Sequence, residues 1–161
     1  MSISISKAGR ADENPGQPVG ANGIARGVRR MYAASGYSTI AEMSLPDGRR
    51  ADLVALGPDG SIEIVEIKSS IADFRADRKW RFYLDYCDRL YFALDINTPQ
   101  DIVPQDAGLI LADEFAAKIL RIGESSPIAA ARRKSMLLRF ARHAADRLHA
   151  LQDRNWRDAQ L

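Results

Sequence analysis

Sulfur, histidine and long apolar runs are all scarce in this chain. Its 161 residues include one cysteine, Cys87, and two histidines, His143 and His149. A single thiol cannot form an internal disulfide or a multi-cysteine zinc site. The two histidines lie six apart in a helical stretch, so they do not share a face. Cys87 has no activating histidine nearby in sequence and reads as a buried apolar residue. No run of about 18 apolar residues occurs, so a membrane-spanning helix is not expected. Met1 to Arg10 holds no apolar segment, which argues against a secretory signal. A reducing, cytoplasmic setting without membrane attachment fits these absences. One-signed charge is lacking too: 23 Lys and Arg against 21 Asp and Glu leave a formal net charge of +2.

What is present is patterned. Arginine comes in clusters: Arg26, Arg29 and Arg30; Arg49 and Arg50; Arg75, Arg78, Lys79 and Arg81; Arg132, Arg133 and Lys134. Such clusters either coat solvated helices or line a face that holds phosphates. Residues 1–20 are rich in Ser, Gly, Pro and Asn without periodicity and read as a flexible tail. Residues 21–161 read as a single domain. Ile24, Val28, Met31 and Tyr32 recur at helical spacing, and Gly36 is placed to end that helix.

Three strands are expected next, over Ser38–Leu45, Arg50–Leu56 and Ser61–Ser69. The tripeptides Pro46-Asp47-Gly48 and Pro58-Asp59-Gly60 join them. Proline presets the first position of a type I turn, and glycine accepts the left-handed position that follows. The spacing then predicts a helix from about Ile71 to Tyr86, with Trp80 and Tyr83 in the core. Ser69 or Ser70 is placed to cap it, with Asp73 in its first turn. A strand over Arg89–Leu94 should run parallel to the third, because a strand–helix–strand unit crosses over. Two short strands, Gly108–Ala112 and Lys118–Ile122, follow. A long helix spans Pro127 to about Trp156. Its stripe of Leu137, Ala141, Ala144, Leu148 and Leu151 faces a core or a partner helix and permits a homodimer. The fold class is therefore α/β with a mixed sheet.

Turn chemistry fixes register. If both loops have three residues, Glu42 lies opposite Asp52, and Asp52 lies opposite Glu66. Cross-strand partners share a face. Lys68, two residues beyond Glu66, shares it as well. Neighbouring carboxylates repel one another and are costly to desolvate. A hard divalent cation such as Mg²⁺ (or Mn²⁺) removes that cost, and a lysine beside it can orient or deprotonate an attacking water. Metal-assisted phosphodiester hydrolysis suits this set. The ordinary alternative is a charged, solvated strand face. Against it stands the setting: Glu66 and Lys68 sit within Ile62-Glu63-Ile64-Val65-Glu66-Ile67-Lys68, the most strand-like segment of the chain, which should be central and covered.

An Asp, then a hairpin, then Glu-x-Lys on the next strand resembles the PD-(D/E)xK nuclease superfamily. Residues 22–95 follow its order of helix, three antiparallel strands, helix and parallel strand. This is a restriction-endonuclease-like core, to which the two short strands and the long C-terminal helix are added. A longer match runs through Gly48-Arg49-Arg50-Ala51-Asp52, Val65-Glu66-Ile67-Lys68-Ser69-Ser70, Asp73-Phe74-Arg75-Ala76-Asp77-Arg78-Lys79-Trp80 and Tyr83-Leu84-Asp85-Tyr86-Cys87-Asp88. It resembles the MmcB-type DNA repair proteins of bacteria. The resemblance implies Asp52 and Glu66 as metal ligands, with the Ile67 carbonyl beside them, and Lys68 as the catalytic lysine. Glu42 is added as a ligand by register. Ala51 stands where the superfamily has proline, a position that only shapes the strand. Arg26, Arg29, Arg50, Arg78 and Lys79 are the candidates for holding DNA. The activity implied is endonucleolytic cutting in DNA repair, with DNA and other repair proteins as partners. A second reading is a nuclease fold that binds DNA structures or recruits partners without cutting.

Overall fold

A computed structural model describes residues 19–76 and 79–153. Of the 1–20 tail, only Val19 and Gly20 fall within the described residues. The elements run α1 (Ala21–Ala34), β1 (Ser38–Ser44), β2 (Arg50–Leu56), β3 (Ile62–Ile67), α2 (Ile71–Ala76), a 3-10 segment (Trp80–Asp85), β4 (Arg89–Leu94), β5 (Gly108–Ala112), β6 (Ala117–Arg121) and α3 (Ala130–Gln152), with a 3-10 turn at Gln100–Ile102. All six strands join one sheet in the order β1-β2-β3-β4-β5-β6. Three of its five pairings are antiparallel, and β3–β4 and β4–β5 are parallel. The expected mixed sheet and C-terminal helix are thus present, and the fourth strand runs parallel to the third. No described helix is long and apolar enough to cross a membrane.

The two Pro-Asp-Gly loops are three-residue hairpins. Leu45 N–H donates to Arg49 O (2.7 Å), and Gly57 N–H donates to Ser61 O (2.8 Å). Gly48 and Gly60 take φ of 86° and 83°, which L-residues with side chains rarely adopt. The loop chemistry therefore sets the register on both hairpins.

Apolar side chains cover both sheet faces. Ile24, Val28 and Tyr32 of α1 pack on Leu53, Val65, Tyr91 and Ile110. Trp80, Tyr83, Met136 and Phe140 pack on Val54, Ile64, Phe92 and Leu94 across the opposite face. Cys87 is buried there, and its thiol, raised by burial, is held protonated and inert.

Two helices differ from expectation. The Ile71–Tyr86 helix is not continuous: α2 ends at Ala76, and the chain resumes as a 3-10 segment at Trp80. Phe74 and Trp80 both pack edge-on against Phe92, at ring separations of 5.0 and 5.7 Å. Six residues of unbroken α-helix would turn them about 120° apart, so the shared contact requires the break. The second is α3, which begins at Ala130 rather than Pro127 because the preceding residues are tied elsewhere. Ser126 N–H donates to Asp88 O (2.8 Å), and Ile128 N–H donates to Asp88 Oδ1 (3.1 Å). Trp156 lies outside the described residues. Along the apolar stripe of α3, Leu137 packs against the core, whereas Leu148 and Leu151 are exposed.

One buried carboxyl predicts a pH effect. Tyr32 Oη donates to Glu63 Oε2 at 2.7 Å beneath α1. Burial is the largest influence on Glu63. It holds the carboxyl above its ordinary value despite the Tyr32 hydrogen bond and the Arg89 charge. A carboxyl raised in the folded state contributes stability at low pH and loses it as pH rises through the folded value. Glu63→Gln, which keeps an acceptor for Tyr32, should therefore flatten the loss of melting temperature on going from acidic to neutral pH. Thermal melts of both proteins across that range check this, and parallel curves would refute it.

Candidate active site

Asp52 sits where the sheet ladder opens on both sides of β2. Toward β1, Ala41↔Leu53 and Met43↔Ala51 are paired, which places Glu42 opposite Asp52, yet that pair is missing from the ladder. Toward β3, the ladder stops at Leu53↔Val65. Side chains take over the interrupted hydrogen bonding. Asp52 N–H donates to Glu66 Oε1 at 3.2 Å, and Ile67 N–H donates to Asp52 Oδ2 at 2.8 Å. Each carboxylate thus accepts a backbone N–H of the neighbouring strand, and the exchange draws the two acids together.

Lys68 completes the group, with Nζ 3.9 Å from Glu66 Oε2. Glu66 is 3% exposed and Lys68 8%, against the expectation for solvated strand charges. The parallel pairing of Glu66 with Phe92 fixes their depth, and Lys68 N–H extends it by donating to Ala93 O (3.0 Å). Burying a carboxylate is costly unless charge and hydrogen bonds compensate it. Here the lysine and a backbone N–H do so.

The ladder does not line up the expected row of three carboxylates, and Glu42 stands at the rim of the cavity that Asp52 also lines. The Glu42 backbone is left-handed, with φ of 52°. That conformation removes it from the ladder and turns its carboxylate toward Arg50, 3.6 Å away, with both side chains largely exposed. Strict alternation fails here as well. Ala41 and Leu53 face α1, whereas Met43 and Ala51, two residues along each strand, belong to the opposite core. Among the described residues, no group of three or more His, Cys, Asp or Glu comes together to hold a metal.

A cavity of about 500 Å³ opens beside the acids. It is lined by Asn22, Arg26 and Arg29 of α1 together with Glu42, Asp52 and Ile67. Arg26 and Arg29, expected to hold phosphate, therefore border the same space as Asp52. Their position depends on how closely α1 sits. A Cβ on Gly27 would come within 2.0 Å of Asp113 O, so only glycine permits this approach. Arg50 is engaged at the rim by Glu42, and its carbonyl accepts Tyr83 Oη–H at 3.1 Å. Lys79 is exposed beyond α2, and Arg78 lies outside the described residues. Ser70 Oγ accepts the Asp73 N–H (3.1 Å), the expected cap at the start of α2. Asn22 was not anticipated as a cavity residue. Its signal is the spacing of Asn22, Ala25, Arg26 and Arg29, which share the helix face next to the buried one.

The metal implied by the resemblance can be weighed against these residues. The donors brought together are the carboxylate oxygens of Asp52 and Glu66, with no sulfur or imidazole in the group. Mg²⁺ and Mn²⁺ take such oxygen donors and need only one or two carboxylates, with waters and phosphate filling the remaining positions. The residues present fit the ion.

The chain's relatives agree with this architecture. A solved structure, "SPO1766 protein of unknown function from Silicibacter pomeroyi", is 43% identical, covers 86% of this chain and 94% of its own, and superposes with a TM-score of 0.82. Among curated proteins, none matches. The family model described as DNA repair protein MmcB-like matches residues 9–155. The chain therefore belongs to the MmcB-like family.

Proposed function

We propose that this protein is a metal-dependent deoxyribonuclease of the PD-(D/E)xK type acting in DNA repair. The observation that carries this reading is the crossed hydrogen-bond exchange of Asp52 and Glu66 over the open ladder, with Lys68 held beside them. The restriction-endonuclease-like order of helix, strands, helix and strand agrees with it, and the family description supplies DNA repair as the setting.

Asp52, Glu66 and the Ile67 carbonyl would hold Mg²⁺ or Mn²⁺. Bound there, the ion supplies charge neutralisation at a scissile phosphate and acidifies a water. The chain's own residues do the rest. Arg26 and Arg29 hold the phosphodiester in the cavity beside Asp52. The Lys68 ammonium orients the attacking water or stabilises the developing phosphorane charge, in a partly desolvated place where such charge counts more. The ion pair with Glu66 fixes where the ammonium stands.

Metal binding tests the site separately from cutting. Calorimetric titration of Mn²⁺ into the DNA-free protein should show binding that weakens at least tenfold in Glu66→Gln. Equal binding by parent and variant would remove Glu66 from the site. Binding of DNA without cutting in either Mg²⁺ or Mn²⁺, across linear, nicked and branched substrates, would favour the non-cleaving alternative.

A further inference from the structure

Helix α3 carries more positive charge than its packing uses. Between Ala130 and Gln152 there are six Arg and Lys residues (Arg132, Arg133, Lys134, Arg139, Arg142 and Arg147) and one acid, Asp146. Arg132 and Arg133 are neutralised by Asp85 and Asp88. The later arginines are not spent in this way. Arg139 Nη1 donates to Ser44 O (3.4 Å) and Arg147 Nη2 to Glu42 O (3.3 Å), so both meet carbonyls rather than carboxylates. A carbonyl satisfies a donor without cancelling its charge. The Arg139 Nε–H is buried and meets no acceptor among the described residues.

Arg139 lines one groove with Ser135, Leu138, Arg142, His143 and Asp146, and Arg147 follows Asp146 at its end. Arg147, next in sequence to the groove's Asp146, links the groove to the Asp52 site, because the Glu42 whose carbonyl Arg147 holds also lines the cavity beside Asp52. From Arg139 to Arg147 the helix advances about 12 Å. That length covers three to four phosphates of one DNA strand at about 3.4 Å of rise each. His143 reports the local field. Burial first, then the Arg147 and Arg139 charges, hold its imidazole below the usual histidine range, with Asp146 opposing them.

We infer that Arg139, Arg142, His143 and Arg147 of α3 form a second phosphate-binding track. It would take the phosphodiester backbone of DNA flanking the strand in the active site. The inference rests on DNA as the substrate of the Asp52 site, but not on cutting there. Arg26 and Arg29 would then grip the backbone on one side of Glu42, and α3 on the other.

Binding of the full-length protein to a short fluorescein-labelled duplex, measured in EDTA, separates this from catalysis. Arg142→Gln should weaken binding several-fold and make the slope of log Kd against log salt shallower by about 0.9, the value of one phosphate contact. Arg142→Lys should restore most of that slope. His143 supplies a second readout by NMR. Added duplex should raise the titration midpoint of His143. Unchanged slope and affinity in Arg142→Gln, or a His143 resonance indifferent to duplex, would overturn the track. A parent that binds no duplex at low salt would overturn it too. Cutting by the parent with Arg142→Gln binding unchanged would refute α3 alone and leave the Asp52 site standing. Weakened binding by Arg142→Gln in a protein that never cuts would do the reverse.

Discussion

Asp52→Asn and Lys68→Met should each lower DNA cutting by about 10³-fold, equivalent to roughly 4 kcal/mol of transition-state stabilisation. The substitutions are chosen to spare the fold. Asparagine keeps an oxygen for the Ile67 N–H that Asp52 accepts at 2.8 Å, so the β2–β3 junction is retained while the charge is lost. Methionine replaces Lys68 with a chain of similar length and no ammonium, next to a Glu66 buried at 3% exposure. That carboxylate then lacks its 3.9 Å partner, so some stability should be lost as well. Far-UV circular dichroism and a melt separate the two effects. The check is initial rates on a plasmid substrate in Mg²⁺ and in Mn²⁺. Parent-like rates in either folded variant would end the nuclease assignment.

The second large effect lies far from the chemistry. Asp88→Ala should destabilise the protein by about 3–5 kcal/mol, the usual cost of breaking a buried charge pair from one side. For a chain of this size that lowers Tm by about 10 °C. Asp88 ties four segments together. Its carboxylate accepts Ile62 N–H (2.8 Å), Ile128 N–H (3.1 Å) and both Arg133 guanidinium nitrogens (2.7 Å each). Its own N–H and carbonyl hold Ile62 and Ser126. Burial, the largest single influence on this carboxyl, pushes it up. The Arg133 bonds and charge and the two backbone N–H donors together outweigh burial and hold it below the usual range. A carboxyl depressed in the folded state contributes stability above its unfolded value and loses it as pH falls through the folded one. The stability gap between parent and Asp88→Ala should therefore close in strong acid. Urea melts at neutral and at low pH test this, and a gap that does not vary with pH would contradict the charge argument.

Much of this arrangement was legible in the sequence because turn chemistry is local. Pro46-Asp47-Gly48 and Pro58-Asp59-Gly60 fixed two hairpin registers, and those registers brought Asp52 to Glu66. Ile62–Ile67 announced a central strand, and burial of Glu66 and Lys68 followed. The missing Glu42–Asp52 rung was not legible, because register states which residues are opposite, not whether both keep extended backbone. The left-handed φ of 52° at Glu42 accompanies contacts from Arg50 and Arg147, the latter 105 residues away. The 3-10 segment from Trp80 goes with two rings meeting one distant Phe92, which helical periodicity along the chain does not report. Asp88 went unassigned for a similar reason. A lone acid before a strand gives no local sign of the arginine it will clasp 45 residues later.

The exchange of hydrogen bonds between Asp52 and Glu66 also affects how related sequences should be read. Both acids replace missing rungs of the sheet, so selection for a folded protein can retain an acceptor at each position after catalysis has been lost. The Lys68 ammonium takes no part in that exchange. A relative with Asn or Gln at the acids but a sound hairpin would be a folded, silent descendant. Under the proposed nuclease reading, a relative that keeps the acids and lacks the lysine should fold without cutting DNA.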